Sequence, residues 1–129
     1  MFYCVESDKS FQEATFDLEP VVQRLGFEVL QRHDLSEILC RKGIELDEDC
    51  QVFEVGNHRY MEKLLRIDMR FSLMLPWRIA VFTEKGATRI GLARPCGGLA
   101  ELGQSAEAAR ILDEIVTKLI IIVAETRQA

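Results

Sequence analysis

Long apolar runs are missing from this sequence, and their absence excludes one class of protein. The longest such run, residues 119–124, is far shorter than the roughly 20 residues that a helix needs to cross a bilayer. The first residues also reach Glu6, Asp8 and Lys9 before an apolar stretch of signal-peptide length has formed. We therefore expect a cytoplasmic protein with no membrane partner.

Cysteine and histidine are scarce, with four Cys and two His in the chain. The cysteines form no Cys-x-x-Cys pair, and the spacing of Cys40, Cys50, His33 and His58 fits no zinc finger. A Gly-rich phosphate loop, a Ser-His-Asp order and a carboxylate pair are missing too. The sequence thus predicts reduced thiols, no metal and no cofactor, and it favours a protein that is not an enzyme.

Positive charge is in deficit, and this bears on the partners of the chain. There are 16 Lys and Arg against 21 Asp and Glu, which gives a net charge of −5. Because binding to a polyanion draws on the release of its counterions by basic residues, nucleic acid is not an expected partner. The hydrophobic fraction of 48% is that of a globular protein, and 129 residues suffice for one domain over residues 1–129.

The first part of the chain alternates between strand and helix signals. A short strand is expected over residues 1–6. Ser10 opens a capping-box pattern for a helix that Gly26 ends, and Pro20 is expected to kink this helix or divide it in two. From residue 27 to 32 the hydrophobic period switches to two, which predicts a second strand.

The middle of the chain continues the same alternation. Asp34 is the expected N-cap of a short extra helix, and a strand is predicted over residues 51–55. Asn57 is the expected N-cap of the next helix. Pro76 cannot donate to a strand ladder, so it is expected to begin a strand or to lie on an edge strand.

The last part of the chain predicts a hairpin and a long helix. Apolar residues alternate after Trp77, and a turn at residues 84–86 leads into a strand over residues 88–93. From Ser105 a helix should run to about residue 126; its stretch 119–123 is apolar all round, so it is buried on two sides or meets another chain. The order β-α-β-β-α-β-β-α predicts an α+β two-layer sandwich, with a mainly antiparallel sheet and helices on one face.

Four short motifs, taken together in their order, resemble a known family. They are Gly26-Phe27-Glu28-Val29, Asp34, Gly56-Asn57-His58 and Leu75-Pro76-Trp77-Arg78-Ile79. The chain resembles domain-of-unknown-function family 302 over nearly its whole length. The resemblance implies an α+β sandwich and homodimers, and it implies no reaction. His58 stands where the family usually has Pro, and Trp77 where many members have Cys, so thiol chemistry at that position does not carry over.

The candidate binding residues are Gly56, Asn57, His58, Trp77 and Arg78. A helix that starts at Asn57 offers free amides and the positive end of its dipole to a small anion, although every helix start offers the same groups. Trp77 is expected in the core or in a dimer interface near a sheet edge.

Arg78 and Arg89 are expected on facing strands of the hairpin. They would either point into one pocket as anion binders or form a solvated face.

Two functions are compatible with these sequence features. The leading hypothesis is a non-enzymatic homodimeric module that binds a small ligand or a partner in a cleft between sheet and helices, near Gly56 to His58 and Trp77. The alternative is a thiol-dependent protein in redox or sulfur handling that uses Cys96 or Cys50, since glycines leave Cys96 uncovered.

Overall fold

Five strands form one antiparallel sheet in the computed structural model, which describes residues 2–93 and 105–128. The strands are β1 (Phe2–Ser7), β2 (Glu28–Asp34), β3 (Cys50–Gly56), β4 (Trp77–Glu84) and β5 (Ala87–Ala93). The helices are α1 (Phe11–Arg24), α2 (Leu35–Arg41), α3 (His58–Ile67) and α4 (Ala106–Thr126), and a 3₁₀ helix spans Met69–Met74. The predicted element order and the α+β fold are confirmed.

The strand order in the sheet is β1-β5-β4-β3-β2. The edges are therefore β1 and β2, and β4 lies in the middle between β5 and β3. The expectation that Trp77 lies near a sheet edge is wrong, because Trp77 begins β4 and pairs with Val55 of β3. Pro76 takes the other predicted place: it precedes the strand, so its missing N–H removes no ladder hydrogen bond.

The two faces of the sheet differ in burial because side chains alternate along each strand. On β4, Ile79 and Val81 are fully buried beneath the helices, whereas Arg78 is exposed and Ala80 is half-buried. The core lies between the sheet and α1, α3 and α4, and its largest fully buried side chain is Phe53 of β3. The opposite side of the sheet is here called the outer face.

The helix starts are set by short polar side chains, as predicted. Ser10 accepts from the Glu13 amide while the Glu13 carboxylate accepts from the Ser10 amide, which completes a capping box for α1. Asp34, Asn57 and Ser105 each accept from an amide one turn into α2, α3 and α4.

Pro20 lies within α1 and does not divide it in two. The helix is continuous from Phe11 to Arg24, and the carbonyl that loses its partner belongs to Phe16, whose side chain is 79% exposed. Water can reach that side of the helix. Gly26 follows the helix with φ of +87°, as a left-handed stop requires.

The apolar end of α4 is buried on one face. Leu119, Ile122 and Val123 are buried, and Ile121 is 38% exposed. The three buried residues lie within an arc of about 100°, so the described residues do not bury this segment on two sides, and contact with another chain stays a prediction. Within the described residues, no helix is both long and apolar enough to cross a membrane.

Two local features shape the ends of the strands. The β4–β5 hairpin turns at Lys85 and Gly86, and both residues have positive φ. A two-residue hairpin turn needs positive φ at both positions to match the twist of its strands. In β2 the pairing with β3 shifts between Val29 and Gln31, so Leu30 forms a bulge and the simple alternation predicted for this strand is broken.

Candidate functional site

The outer face carries a row of small and apolar side chains across four strands. The antiparallel register aligns Cys4, Gly91, Ala80 and Val52 side by side, from β1 through β5 and β4 to β3. Gly91 has no side chain and Ala80 has only a methyl group. The middle of the outer face is therefore a depression whose floor is formed mainly by the backbone of the strands.

Gly91 is required for the close approach of β1 to β5. A Cβ atom at this position would lie 2.9 Å from the Tyr3 carbonyl oxygen and 3.1 Å from the Cys4 Cβ atom. Both obstacles belong to the neighbouring strand rather than to the end of a flexible side chain. The glycine thus keeps the strands in place and the floor of the depression low.

Larger side chains surround this floor and turn it into a pocket. The pocket has a volume of about 740 Å³, and its lining is mostly apolar. Its lining includes Phe2, Val52, Pro76, Phe82 and Arg78. We call this cavity the outer-face pocket. Its volume lies within the range of small-molecule sites, roughly 300 to 1,000 Å³.

Among the described residues, the charged group that lines the outer-face pocket is the Arg78 guanidinium. Its side chain is 61% exposed, and Nη2 lies 3.6 Å from Oε2 of Glu54 on the neighbouring strand. The same carboxylate lies 3.3 Å from Nε2 of His33 on β2. Because Glu54 is shared and its contact with Arg78 is long, donor groups of the guanidinium remain available to an anion.

The predicted helix start forms a separate and smaller groove. The groove has a volume of about 260 Å³ and is lined by Gly56, Asn57 and His58 with the chain around Gly26. Nδ1 of His58 lies 3.2 Å from Oε1 of Glu28. The groove is lined by the acidic Glu28 and the basic Arg59, and Trp77 does not line it.

Trp77 takes one of the two places predicted for it, and Arg89 does not share the outer-face pocket with Arg78. Trp77 is 6% exposed and belongs to the core, with only part of it reaching one end of the outer-face pocket. Arg89 lies near the other end of the hairpin and pairs with Glu6 and Glu84. It does not line the outer-face pocket with Arg78, so of the two alternatives for these arginines the structure does not favour the shared pocket.

The cysteines are placed differently from one another. Cys4 and Cys40 are exposed, and Cys4 lines the outer-face pocket. Cys50 is partly buried; its burial and, secondarily, the charge of Asp34 raise the pKa of its thiol, which disfavours the reactive thiolate. Cys96 lies outside the described residues.

Another cavity, of about 900 Å³, lies between α1 and the β2–β3 side of the sheet. Its walls include the polar side chains of Gln12, Glu19, Arg32 and Asp49, with Phe16 at its surface. It lacks the apolar floor of the outer-face pocket. Within residues 2–93 and 105–128, no group of three or more His, Cys, Asp or Glu side chains is placed to hold a metal ion.

Reasoning from the sequence named Trp77 and Arg78 of the outer-face pocket and missed the rest of its lining. Cys4, Gly91 and Ala80 come from three strands, and only the pairing of these strands brings them side by side. A signal was present in β4, where Ala80 and Phe82 occupy the positions that alternate with Ile79 and Val81. An outer face with water on it usually carries polar residues at such positions.

Comparison with known proteins agrees with the fold. The family model "domain of unknown function DUF302" matches residues 3–126. The chain belongs to this family. A solved structure of the uncharacterised conserved protein DUF302 from Bacillus stearothermophilus is similar, with a TM-score of 0.89, 24% identity and coverage of 98% of each chain. Among curated proteins, none matches. The family and the shared fold are thereby shown, and neither carries an activity with it.

Proposed function

We propose that this protein is a non-enzymatic cytoplasmic module of one domain, which forms a homodimer and binds a small anionic ligand with an apolar body. The observation that carries the proposal is the outer-face pocket, an apolar cavity of about 740 Å³ with the Arg78 guanidinium in its wall. A small apolar acid fits this chemistry, since its body would cover the floor at Gly91 and Ala80 while its charged end meets Arg78.

The size of the apolar surface favours a small ligand over a protein partner at this place. Strands lie about 4.8 Å apart, so the row from β1 to β3 is roughly 14 Å wide, and the apolar part extends over a similar length. This gives roughly 200 Å², whereas a stable protein interface buries about 800 Å² on each partner. The Gly56 to His58 groove is retained as a weaker candidate for the charged end of a ligand.

The proposal is tested with octanoate and octanol, which share an apolar tail and differ in charge. By isothermal titration, octanoate is expected to bind more tightly than octanol to the wild-type protein. Arg78→Gln is expected to weaken octanoate about fivefold, because an exposed charge pair contributes up to about 1 kcal/mol, and to leave octanol unchanged.

Two further variants complete the test. Ala80→Leu is expected to weaken both probes by filling the floor. Arg66→Gln is the matched control, since Arg66 forms an exposed pair with Glu62 on α3 and does not line the pocket. Absence of octanoate binding at about 5 mM, or equal effects of Arg78→Gln and Arg66→Gln, contradicts the proposal.

A thiol-dependent role in redox or sulfur handling is the second candidate. The raised pKa of the Cys50 thiol disfavours a reactive thiolate at that residue. The observation that favours a thiol-dependent role is the exposed Cys4 in the wall of the outer-face pocket. Alkylation of the folded protein with iodoacetamide at neutral pH, mapped by mass spectrometry, decides it. If none of the four cysteines reacts, the thiol hypothesis is wrong.

A further inference from the structure

The side of the sheet that packs against the helices is here called the inner face. Near β2 and β3 the helices leave part of it open, and the cavity of about 900 Å³ lies there with α1 as its opposite wall. We call this cavity the helix–sheet cleft. Its volume lies within the range of small-molecule sites, roughly 300 to 1,000 Å³, and the proposed function does not use it.

Among the described residues that line the helix–sheet cleft, Arg32 carries the positive charge. It pairs with Phe53 across β2 and β3, and its guanidinium carbon lies 4.7 Å from the centre of the Phe53 ring. A cation–π contact leaves the N–H donors of a guanidinium without an acceptor. Within the described part of the chain Arg32 forms no ion pair, whereas Arg78 and Arg89 of the same sheet each pair with a glutamate. The Arg32 donors are therefore available to a carboxylate.

Acceptors gather beside Arg32, where β3 begins. Asp34 follows Arg32 by two residues on β2 and pairs with Gln51. Asp49 precedes Gln51 by two residues, and all of these side chains line the cleft. Among the described residues the Asp49 carboxylate has no ion pair and no hydrogen bond. Glu19 of α1 adds a further carboxylate on the opposite wall, so the cleft favours a cation next to the site for a carboxylate.

Gln51 strengthens this preference for a cation. Its Nε2 group donates to Oδ2 of Asp34 at 3.3 Å, and its Oε1 atom is buried with no hydrogen-bond partner within the described residues. Because a carboxylate only accepts, the Asp34 contact fixes which end of the Gln51 amide is the oxygen. The wall of the cleft therefore holds an unsatisfied acceptor between two carboxylates, and it lacks a group with N–H donors.

The wall formed by α1 is apolar in part. Phe16 and Pro20 line the cleft together with Phe11, and the Phe16 side chain is 79% exposed. A large exposed aromatic side chain beside charged groups of both signs offers a surface to another ring. The cleft therefore suits a ligand with a positive group, a negative group and an aromatic body.

The charged end of the cleft lies near the β4–β5 turn. The Thr83 amide donates to the Asp49 carbonyl at 2.9 Å, which places Asp49 beside the last part of β4. Ala93, the last described residue of β5, pairs with Phe2 at the other end of the sheet. The strands that form this wall, β2 and β3, are described over their whole length.

We propose that the helix–sheet cleft binds an α-amino acid with an aromatic side chain. The ligand carboxylate lies against Arg32, the ammonium group lies at Asp49 and Gln51, and the ring packs on Phe16 and Pro20. This site is separate from the outer-face pocket, because the two lie on opposite faces of the sheet.

The strand register brings both kinds of group within reach of one small molecule. Arg32 pairs with Phe53, and Gln51 lies two residues from Phe53 on β3, so Arg32 and Gln51 are diagonal neighbours. Diagonal neighbours on one face of a sheet lie about 7 to 8 Å apart. An α-amino acid carries its ammonium and carboxylate groups on the same carbon, and one hydrogen bond on each side lets it bridge such a distance.

Three probes with the same aromatic body test the proposal on the full wild-type chain. They are L-phenylalanine, phenethylamine, which lacks the carboxylate, and 3-phenylpropanoate, which lacks the ammonium group. In NMR titrations of isotope-labelled protein, phenylalanine is expected to shift the amides of Arg32 and Gln51. It is expected to bind there about fivefold more tightly than either analogue, since each analogue loses one exposed charge pair.

Two charge-neutralising variants assign the ends of the ligand. Arg32→Gln is expected to weaken phenylalanine about fivefold and to leave phenethylamine unchanged, because only the carboxylate contacts Arg32. Asp49→Asn is expected to weaken phenylalanine and phenethylamine at least about twofold and to leave 3-phenylpropanoate unchanged. Asp47→Asn is the matched control for Asp49, since Asp47 is exposed in the same loop and does not line the cleft. Arg78→Gln is the control for Arg32.

Titration of the same variants with octanoate separates this site from the proposed function. Arg32→Gln should weaken phenylalanine alone, and Arg78→Gln should weaken octanoate alone. Loss of the octanoate result with the phenylalanine result intact contradicts the proposed function and leaves the cleft site standing, and the converse contradicts the cleft site alone.

Three results would overturn the amino-acid site. The first is the absence of shifts at Arg32 and Gln51 with phenylalanine at about 10 mM, well above a millimolar dissociation constant. The second is equal affinity of the cleft for phenylalanine and for one of its two analogues, a comparison on the wild-type protein that needs no variant to fold. The third is an equal effect of Arg32→Gln and Arg78→Gln on phenylalanine.

Discussion

Asn57 ties the start of α3 to the carbonyl of Gly26. Its Nδ2 group donates to Gly26 O at 2.7 Å, and its Oδ1 atom accepts from the Tyr60 amide at 3.0 Å. One side chain therefore caps a helix and holds the turn that leads into β2, two segments far apart in sequence. This double contact accounts for the residue without a ligand.

Substitution of Asn57 should separate the two contacts by their effects on stability. Asn57→Ala removes both and is expected to lower the free energy of unfolding by about 2 kcal/mol, because a lost cap and a lost hydrogen bond each cost about 1 kcal/mol. Asn57→Ser retains a capping oxygen and should lose about half as much. Urea unfolding measures both variants, and equal losses would mean that the capping oxygen contributes nothing.

Substitution of glycine by alanine is expected to lower stability by different amounts at two positions. Gly91→Ala drives its methyl group against the backbone of β1, 2.9 Å from the Tyr3 oxygen, and is expected to cost about 1 to 3 kcal/mol. Gly56→Ala meets the ends of the Leu30 and Met61 side chains, which can move, and should cost less than about 1 kcal/mol. Thermal unfolding compares them, and a larger loss for Gly56→Ala would show that the neighbours of Gly56 cannot yield.

Burial on α1 is tested by a matched pair of leucines. Leu18 is fully buried, whereas Leu73 in the 3₁₀ helix is 84% exposed. Leu18→Ala is expected to lower the free energy of unfolding by about 2 to 5 kcal/mol through lost apolar burial and a cavity. Leu73→Ala should change it by less than about 0.5 kcal/mol. Denaturant titration of both variants measures the difference, and similar values would place Leu18 outside the core.

The thiol of Cys50 is expected to respond to alkaline pH. Its pKa in the folded chain is raised above the ordinary 9.0, so the unfolded chain releases this proton first. The contribution of Cys50 to stability is therefore present below pH 9.0 and declines as pH rises above that value toward the folded pKa.

Alkylation with iodoacetamide follows the same group directly. At pH 8, Cys50 should react at least about tenfold more slowly than Cys4, because the thiolate is the nucleophile and Cys4 is exposed. Peptide mapping gives both rates in one sample. Equal rates would show that neither burial nor the charge of Asp34 protects Cys50.

What the sequence predicts well is local chemistry. Ser10, Asp34, Asn57 and Ser105 begin their helices because a capping oxygen acts within one turn of chain. The hairpin turn at Gly86 is equally local. These features need no knowledge of the remaining fold, and together they define the element order.

What the sequence does not predict depends on strand pairing. The central place of β4 depends on the order of all five strands, so the sheet edge that Pro76 suggested near Trp77 was wrong, although the core was one of the two places predicted for Trp77. The outer-face pocket depends on the alignment of Cys4, Gly91 and Ala80 across three strands. The bulge at Leu30 also depends on pairing: it shifts the register of β2 against β3 by one residue, and the hydrophobic pattern of β2 does not reveal this shift.

The bulge at Leu30 has a consequence for how far such molecules can assemble. A chain with two adhesive edges could add copies without end and grow into a ribbon, and fibres arise from unlimited contacts of that kind. Here the β2 edge is irregular and carries the charges of Glu28, Arg32 and Asp34, so it offers no regular ladder to a further strand. A single displaced residue on one strand thus closes one of the two directions in which a sheet can grow.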